Sequence, residues 1–266
     1  MLLDFLYTQD IWAMACLVVF LFIVVALLGL ALSSKLIPKD VRKKHMELVS
    51  YGLATISIFS AVLLAFIAVS AWESHGKAET ATSQESLLIA DVLRSSFAMP
   101  EPLRSQIREG AVAYLDTVIN EEWPAMANKN LNPRKGWDQL VDLYMNISKF
   151  KTTDPTVQIQ YASLYDKINS LIDARRIRIL AEKQSFQPIV WGVVLVGAFL
   201  NIAFLFLFSM ESFRMHVAMT SMVAAGIGAI FVLIIAFDRP FQGSMAVSSE
   251  AFSNLKYNYT QYKQKY

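Results

Sequence analysis

Arg175, Arg176 and Arg178 form the densest group of side chains in the sequence that could do chemistry. They precede, by about three helical turns, an uncharged stretch that opens at residue 189, and Asp173 and Glu182 stand beside them. A ring of such arginines in an oligomer would attract anions. The plainer reading is a salt-bridged helix surface, with Arg178 and Glu182 at i,i+4. A second group is Asp238-Arg239-Pro240-Phe241. Asp238 and Arg239 follow an uncharged stretch and mark where charge is no longer excluded. Pro240 lacks a backbone donor and stops the helix from continuing. Phe241 is then free to bury its ring beside the insert helix that descends toward Pro188. This group reads as a structural latch that fixes a tail helix beginning near Ser248 and couples the insert to the last span. Asp238→Asn is expected to leave insertion intact and to weaken assembly or thermal stability, because a partner cation loses its counter-charge.

The remaining candidates are weaker. His45, His75 and His216 are scattered. His75 and Glu79 at i,i+4, with Glu73 near, could place metal ligands on one helix face, but a solvated face explains them as well. Glu121-Glu122 resembles a carboxylate pair, yet adjacent helix residues point about 100° apart, so a solvated role is the better reading. The single cysteine, Cys16, excludes an intrachain disulfide framework and a cysteine-cluster metal site. Asn146-Ile147-Ser148 and Asn258-Tyr259-Thr260 match a glycosylation sequon, a weak pattern. No Gly-rich phosphate loop, G-x-S-x-G elbow or HExxH is present. The sequence implies no cofactor, no metal and no enzyme.

Polar side chains inside the apolar stretches are the other candidates. Ser50, Ser57, Ser60 and Ala61 lie on a small, hydroxylated stripe, and Asn201 sits near the middle of a third stretch. Such residues either line a water-filled path or pack helices closely, because lipid gives no hydrophobic drive for association. An amide in hydrocarbon needs a partner in either case. Ser221, Ala225 and Ala229, with Gly226 and Gly228, read as a further helix-contact face. No stretch holds Asp, Glu, Lys, Arg or His, which lowers the case for a proton- or ion-coupled transporter.

The elements that must position these residues follow from composition. Of 266 residues, 55% are apolar and 17% charged, with mean hydropathy +0.41. Soluble domains carry about 25% charged residues, so this is a membrane protein. Net charge +2 is too small for nucleic-acid binding. Four stretches, 11–32, 48–72, 189–210 and 217–237, are long enough to span a bilayer, which takes about 20 residues. The fold class is therefore an all-α integral membrane protein. Two transmembrane hairpins, 1–72 and 188–237, flank a helical extramembrane domain at 73–187, and an amphipathic tail follows at 238–266. The first span reads as an anchor rather than a cleaved signal peptide: Asp4 and Asp10 precede it, and the positive charges follow it. Lys35, Lys39, Arg42, Lys43 and Lys44 stand in the first short loop and Arg214 in the second. The positive-inside rule puts both loops in the cytoplasm and the insert outside. Arg175, Arg176, Arg178 and Lys183 count against this, but long domains weigh less in the rule.

The insert shows helical periodicity throughout. Its stripes run through Leu88, Ile89, Val92, Leu93 and Ser96; Leu103, Ile107, Gly110, Tyr114 and Val118; and Trp137, Leu140, Val141, Tyr144 and Ile147. Trp123-Pro124 and Asn132-Pro133 mark a loop region. Asp154 and Pro155 give an N-cap and first-turn proline to a helix through Tyr161, Leu164, Ile168 and Leu171. That helix is expected to feed directly into the third span with a kink near Pro188. Phe252, Leu255, Tyr259, Tyr262 and Tyr266 predict an amphipathic tail helix.

The chain resembles the bacterial bestrophin-like membrane proteins of uncharacterised function from about residue 48 to residue 255. The matching words are Val62-Leu63-Leu64-Ala65-Phe66 with Trp72, Ser83-Gln84-Glu85 with Ala90-Asp91 and Arg94, and Pro100-Glu101-Pro102-Leu103. Glu122-Trp123-Pro124, Arg175-Arg176 with Arg178, and Asp238-Arg239-Pro240-Phe241 with Gly243 complete them, the last being the most specific. Pro240-Phe241-Gln242-Gly243 is similar to the Asn-Pro-Phe-Gly word of true bestrophins, pentameric anion channels, but Gln242 intervenes. The acidic residues that follow in bestrophins are missing, so no calcium clasp is implied. Bestrophins keep their soluble part in the cytoplasm, whereas the loop charges here place it outside. The resemblance implies a homo-oligomeric, anion-permeable channel or pore in the bacterial inner membrane. Its partners would be the lipid bilayer, copies of itself and ions. The alternative is a non-conducting envelope sensor or scaffold whose insert binds a ligand or partner protein.

Overall fold

The computed structural model describes residues 2–130, 132–210 and 212–265, with side chains described from residue 5 to residue 261. All regular structure among them is helical: α1 (Leu2–Tyr7), α2 (Ile11–Leu36), α3 (Lys39–Lys44), α4 (Met46–Ser95), α5 (Leu103–Thr117), α6 (Trp123–Ala127), α7 (Arg134–Ser148), α8 (Pro155–Glu182), α9 (Pro188–Phe206), α10 (Phe213–Asp238) and α11 (Glu250–Lys265). Four of them, α2, α4, α9 and α10, are long and apolar enough to cross a membrane.

The chain divides into two compact units. The first comprises residues 1–74, 185–239 and 243–245. Here α2 and α10 make the main helix pair. The Cβ that Gly228 lacks would stand 3.1 Å from the backbone of Val19, so glycine is what lets the two helices approach. The buried face of α10 runs through His216, Thr220, Ala224, Gly228, Phe231 and Ile235. The expected stripe of Ser221, Ala225 and Ala229 is turned away by one residue, and Gly226 and Ala229 are exposed. Phe231 and Ile234, bulky and buried, decide which face goes inward.

The second unit comprises residues 75–184, 240–242 and 246–266. Its core joins Ile89 and Val92 of α4, Ile107 and Tyr114 of α5, Leu140 and Ile147 of α7, Leu164 and Leu171 of α8, and Phe252 of α11. The side chain of Asp154 caps α8 by accepting from the Thr156 and Val157 N–H groups at 2.8 and 3.4 Å. In the tail, Phe252 is buried and Leu255 and Tyr259 are half-buried against the core. The side chain of Tyr262, and Tyr266 altogether, lie outside the described residues.

Three local expectations are corrected. The second span and the first insert helix are one helix, α4, of 50 residues, because no proline or turn signal separates residue 72 from residue 95. Conversely, α8 does not run into the third span: it ends at Glu182, and α9 starts afresh at Pro188. Proline forces the preceding residue out of helical geometry, and Gln187 has φ −61° and ψ 149°. Trp123-Pro124 lies in α6, not in a loop. A wide turn at Val118–Glu122, in which the Trp123 N–H reaches the Val118 carbonyl, absorbs the donor that Pro124 lacks.

Candidate functional site

The polar groups buried in the first unit are few, and those between α4 and α9 satisfy one another. On α4 and α9, the Ser57 hydroxyl donates to Asn201 Oδ1 at 2.7 Å, and Asn201 Nδ2 donates to the Gly197 carbonyl at 2.9 Å. Ser60 is buried where a Cβ on Gly197 would stand 3.3 Å from its Oγ. Ser57, Ser60 and Asn201 therefore belong to one helix contact. Ser50 and Ala61 are not part of it: both are exposed, and the Ser50 hydroxyl donates to its own helix at Met46, 2.8 Å away. At the end of α10, Asp238 is buried and accepts from the Phe186 N–H at 2.7 Å and the Tyr7 hydroxyl at 3.2 Å. The Arg239 guanidinium stands 4.5 Å from the centre of the Tyr7 ring.

In the second unit, Phe241 is buried with Ala78, Met126, Ala181 and Val247. Its ring meets Trp123 edge-on at 5.6 Å, and the carbonyl of Pro240 accepts from the Val247 N–H at 2.7 Å. Trp123 donates its indole N–H to the Val247 carbonyl at 3.2 Å.

Beside Trp123 lies a centre of four buried ions. Arg178 and Glu85 are each 0% exposed, and Glu122 and Arg175 nearly so. Arg178 grips Glu85 as a fork, Nε to Oε2 at 2.7 Å and Nη2 to Oε1 at 3.1 Å. The same Nη2 reaches Glu122 Oε2 at 2.6 Å. Arg175 Nη2 donates to Glu122 Oε1 at 2.5 Å and to the Pro133 carbonyl at 2.8 Å. The Tyr114 hydroxyl donates to Glu85 Oε1 at 2.5 Å. Burial opposes charge on Arg178, but Glu85, Tyr114 and Glu122 more than compensate and hold its pKa well above the ordinary value. Burial first, then the charge of Glu85, raises the Tyr114 phenol well above its ordinary value, so it stays a donor. Gly136 closes the group: a Cβ there would lie 2.3 Å from Glu122 Oε1 and 3.0 Å from Arg175 Nη2.

The three arginines thus part company. Arg176 is exposed and pairs with Asp173 at 3.3 Å, while Arg175 and Arg178 face carboxylates inside the unit. Glu122 is buried rather than solvated, and Glu121 alone stays outside, paired with Lys135. Sequence reasoning passed over Glu85 and Tyr114, although both lie on apolar stripes. Two arginines against two carboxylates balance in charge, and the arginine donors converge on the carboxylate oxygens, which makes the centre a clamp joining α4, the Val118–Glu122 turn and α8. Among the described residues, no three His, Cys, Asp or Glu side chains are grouped to hold a metal.

A family model described as a bestrophin-like domain matches residues 20–252. A variant of a bacterial bestrophin homologue from Klebsiella pneumoniae is similar in fold, with a TM-score of 0.66 at 12% identity, covering 90% of this chain and 97% of that one. A second variant of that protein gives 0.66 at 12%, covering 94% and 97%. A structure described as a membrane protein gives 0.66 at 11%, covering 90% and 96%. No curated protein sequence matches the chain.

Proposed function

The chain belongs to the bestrophin-like family, and from that premise we propose that it is a homo-oligomeric, anion-permeable membrane channel whose pore is lined by the apolar half of α4. One observation carries the reading. α4 is the most hydroxylated of the spanning helices, and its apolar half is the least covered by its own chain, 11% buried against 17% for α2, 22% for α9 and 39% for α10. Ser50, Thr55 and Ala61 lie on that uncovered side. A helix so marked by hydroxyls and so little covered is suited to face further copies and a path between them. One protomer's helices pack against each other, so conduction needs several copies around an axis. Arg176, exposed on α8, is the one of the three arginines placed to meet a mobile anion.

The setting that fits is the bacterial inner membrane with the insert outside the cytoplasm. Lys35, Lys39, Lys43 and Lys44 are all exposed in the first short loop, and the positive-inside rule holds such loops in the cytoplasm. Ile159→Cys, at an exposed position of the insert, in a Cys16→Ser background should react with an impermeant thiol reagent on intact cells. Protection until lysis would reverse the orientation.

The channel reading is tested by reconstitution into planar bilayers. Chloride-selective currents are expected, and Ala61→Phe should reduce them severalfold without changing subunit number. Silent bilayers at high protein density would overturn the channel and favour the non-conducting sensor or scaffold.

A further inference from the structure

Arg134, at the start of α7, and Arg176, on α8, line a cavity of about 400 Å³ together with Arg175. Both exposed arginines are loosely held. Arg134 meets Asp138 at 3.8 Å and Arg176 meets Asp173 at 3.3 Å, with every one of these side chains more than half exposed. Pairs of that kind contribute little and exchange readily for a better anion. Arg175 brings something different. Its Nη2 is committed to Glu122 and Pro133, but its Nε is buried with no partner among the described residues. The N-terminus of α7, whose Pro133 offers no side-chain cap, adds its positive end at the same place.

The rest of the lining is carbon. The Trp137 ring, Ile179 and Leu180 form it with Pro133, and Trp137 and Leu180 are left 40% and 56% exposed. A bare inorganic anion would satisfy the arginines and leave this apolar wall wet. An uncharged apolar molecule would cover the wall and leave the cations with only their loose, exposed carboxylate partners. Only a molecule with an anionic head joined to an apolar body uses both halves. A volume of this size takes a headgroup and the first carbons of a chain, and the remainder must lie outside. The helix that carries Arg175, Arg176 and Leu180 ends at Glu182, and the chain enters the spanning helix α9 at Pro188.

We infer that this cavity binds one anionic phospholipid, with its phosphate held by Arg134 and Arg176 and its first acyl carbons against Trp137, Ile179 and Leu180. Arginine is suited to this because its fork meets two phosphate oxygens at once. The site does not depend on conduction, since it is read by binding alone.

The experiment titrates the full chain, purified in a nonionic detergent, with dioctanoyl phosphatidylglycerol, dioctanoyl phosphatidylcholine, octanoate and inorganic phosphate, and follows binding by thermophoresis. Phosphatidylglycerol should saturate one site per chain, with the other three probes at least about tenfold weaker. The double variant Arg134→Ala/Arg176→Ala should lose about tenfold in phosphatidylglycerol affinity. Its melting temperature should barely move, because both side chains are exposed. Trp137→Ala should weaken the same binding, and Arg94→Ala, an exposed arginine outside the cavity, should not. Equal binding of phosphatidylcholine, octanoate or inorganic phosphate would overturn the inference. So would a double variant that binds like the wild type, or an Arg94→Ala variant that loses as much as the double.

Discussion

The membrane unit and the extramembrane unit place polarity inside by different rules. Between α4 and α9 the buried polar groups are neutral and short of reach, a serine on an amide and an amide on a carbonyl. Beyond Ser74 the second unit buries four ions around one point. Lipid outside a helix bundle is as apolar as leucine inside it, so association there rests on close approach, as Gly228 permits against Val19. Water outside the second unit drives its apolar stripes inward without specifying which helix meets which. The ionic clamp supplies that choice, because a shifted register would strand a charge, and a stranded buried charge costs far more than a lost apolar contact.

If that contrast is right, its strongest test is at Arg178. Arg178→Met should cost roughly 3–5 kcal/mol by leaving Glu85 buried without a counter-ion and Glu122 with Arg175 alone, seen as a large drop in melting temperature and in yield. The double variant with Glu85→Leu should recover part of the loss, and no recovery would mean that the clamp does not act as a unit. Next is Tyr114→Phe, which removes a donor to a buried carboxylate and should cost about 1.5–3 kcal/mol at neutral pH. The phenol of Tyr114 is raised in the folded state, while in the unfolded chain it titrates near 10. Its contribution is therefore complete below pH 10 and declines as pH rises above it. Stability of the wild type should fall more steeply than that of Tyr114→Phe in alkaline melts. Asp238→Asn follows, at about 1 kcal/mol, since an amide oxygen can still accept from the Phe186 N–H but less strongly. An unchanged melting temperature and oligomer profile would remove the latch. Smallest is Asn201→Leu on the membrane side, about 0.6 kcal/mol by analogy with other interhelical bonds in bilayers. A loss as large as that of Arg178→Met would erase the distinction between the two units.

Much of this architecture was legible before any coordinates. Span lengths gave the four membrane helices, and 3.6-residue periodicity gave the insert. The clamp was legible in principle as well. Leu164, Ile168, Leu171, Arg175 and Arg178 step by 4-3-4-3, so Arg175 and Arg178 occupy core positions and Arg176 falls beside them. Ala78, Thr82, Glu85, Ile89 and Val92 repeat the same steps on α4. The charge of Arg175, Arg178 and Glu85 points to a solvated surface and their spacing to the core, and in the fold the spacing prevails. Glu122 was beyond such reasoning. Continuing Ile107, Ala111, Tyr114 and Val118 by three points to Glu121, and the wide turn at Val118–Glu122 moves the inward position one residue on. That turn depends on tertiary packing around Pro124, which no local pattern encodes. The break before Pro188 is visible in the sequence as a proline, which signals a kink as readily as a full stop. The 183–187 segment holds no glycine or further proline to announce a full stop.

Gly136 ties its own freedom to vary to that of Glu122. No side chain, not even a methyl group, fits at 136 while a glutamate carboxylate reaches to within 2.3 Å of where the Cβ would be. Drift at the two positions is therefore conditional: Gly136→Ala is harmful in this background, and Glu122→Asp, whose carboxylate is one methylene shorter, is harmful because it draws away from Arg175 and Arg178. Together the two changes relieve each other, the methyl group occupying the space the shorter acid vacates. The pair should show positive epistasis, with the double variant melting above the additive expectation from the singles. Across the family, alanine at the first position should travel with aspartate at the second.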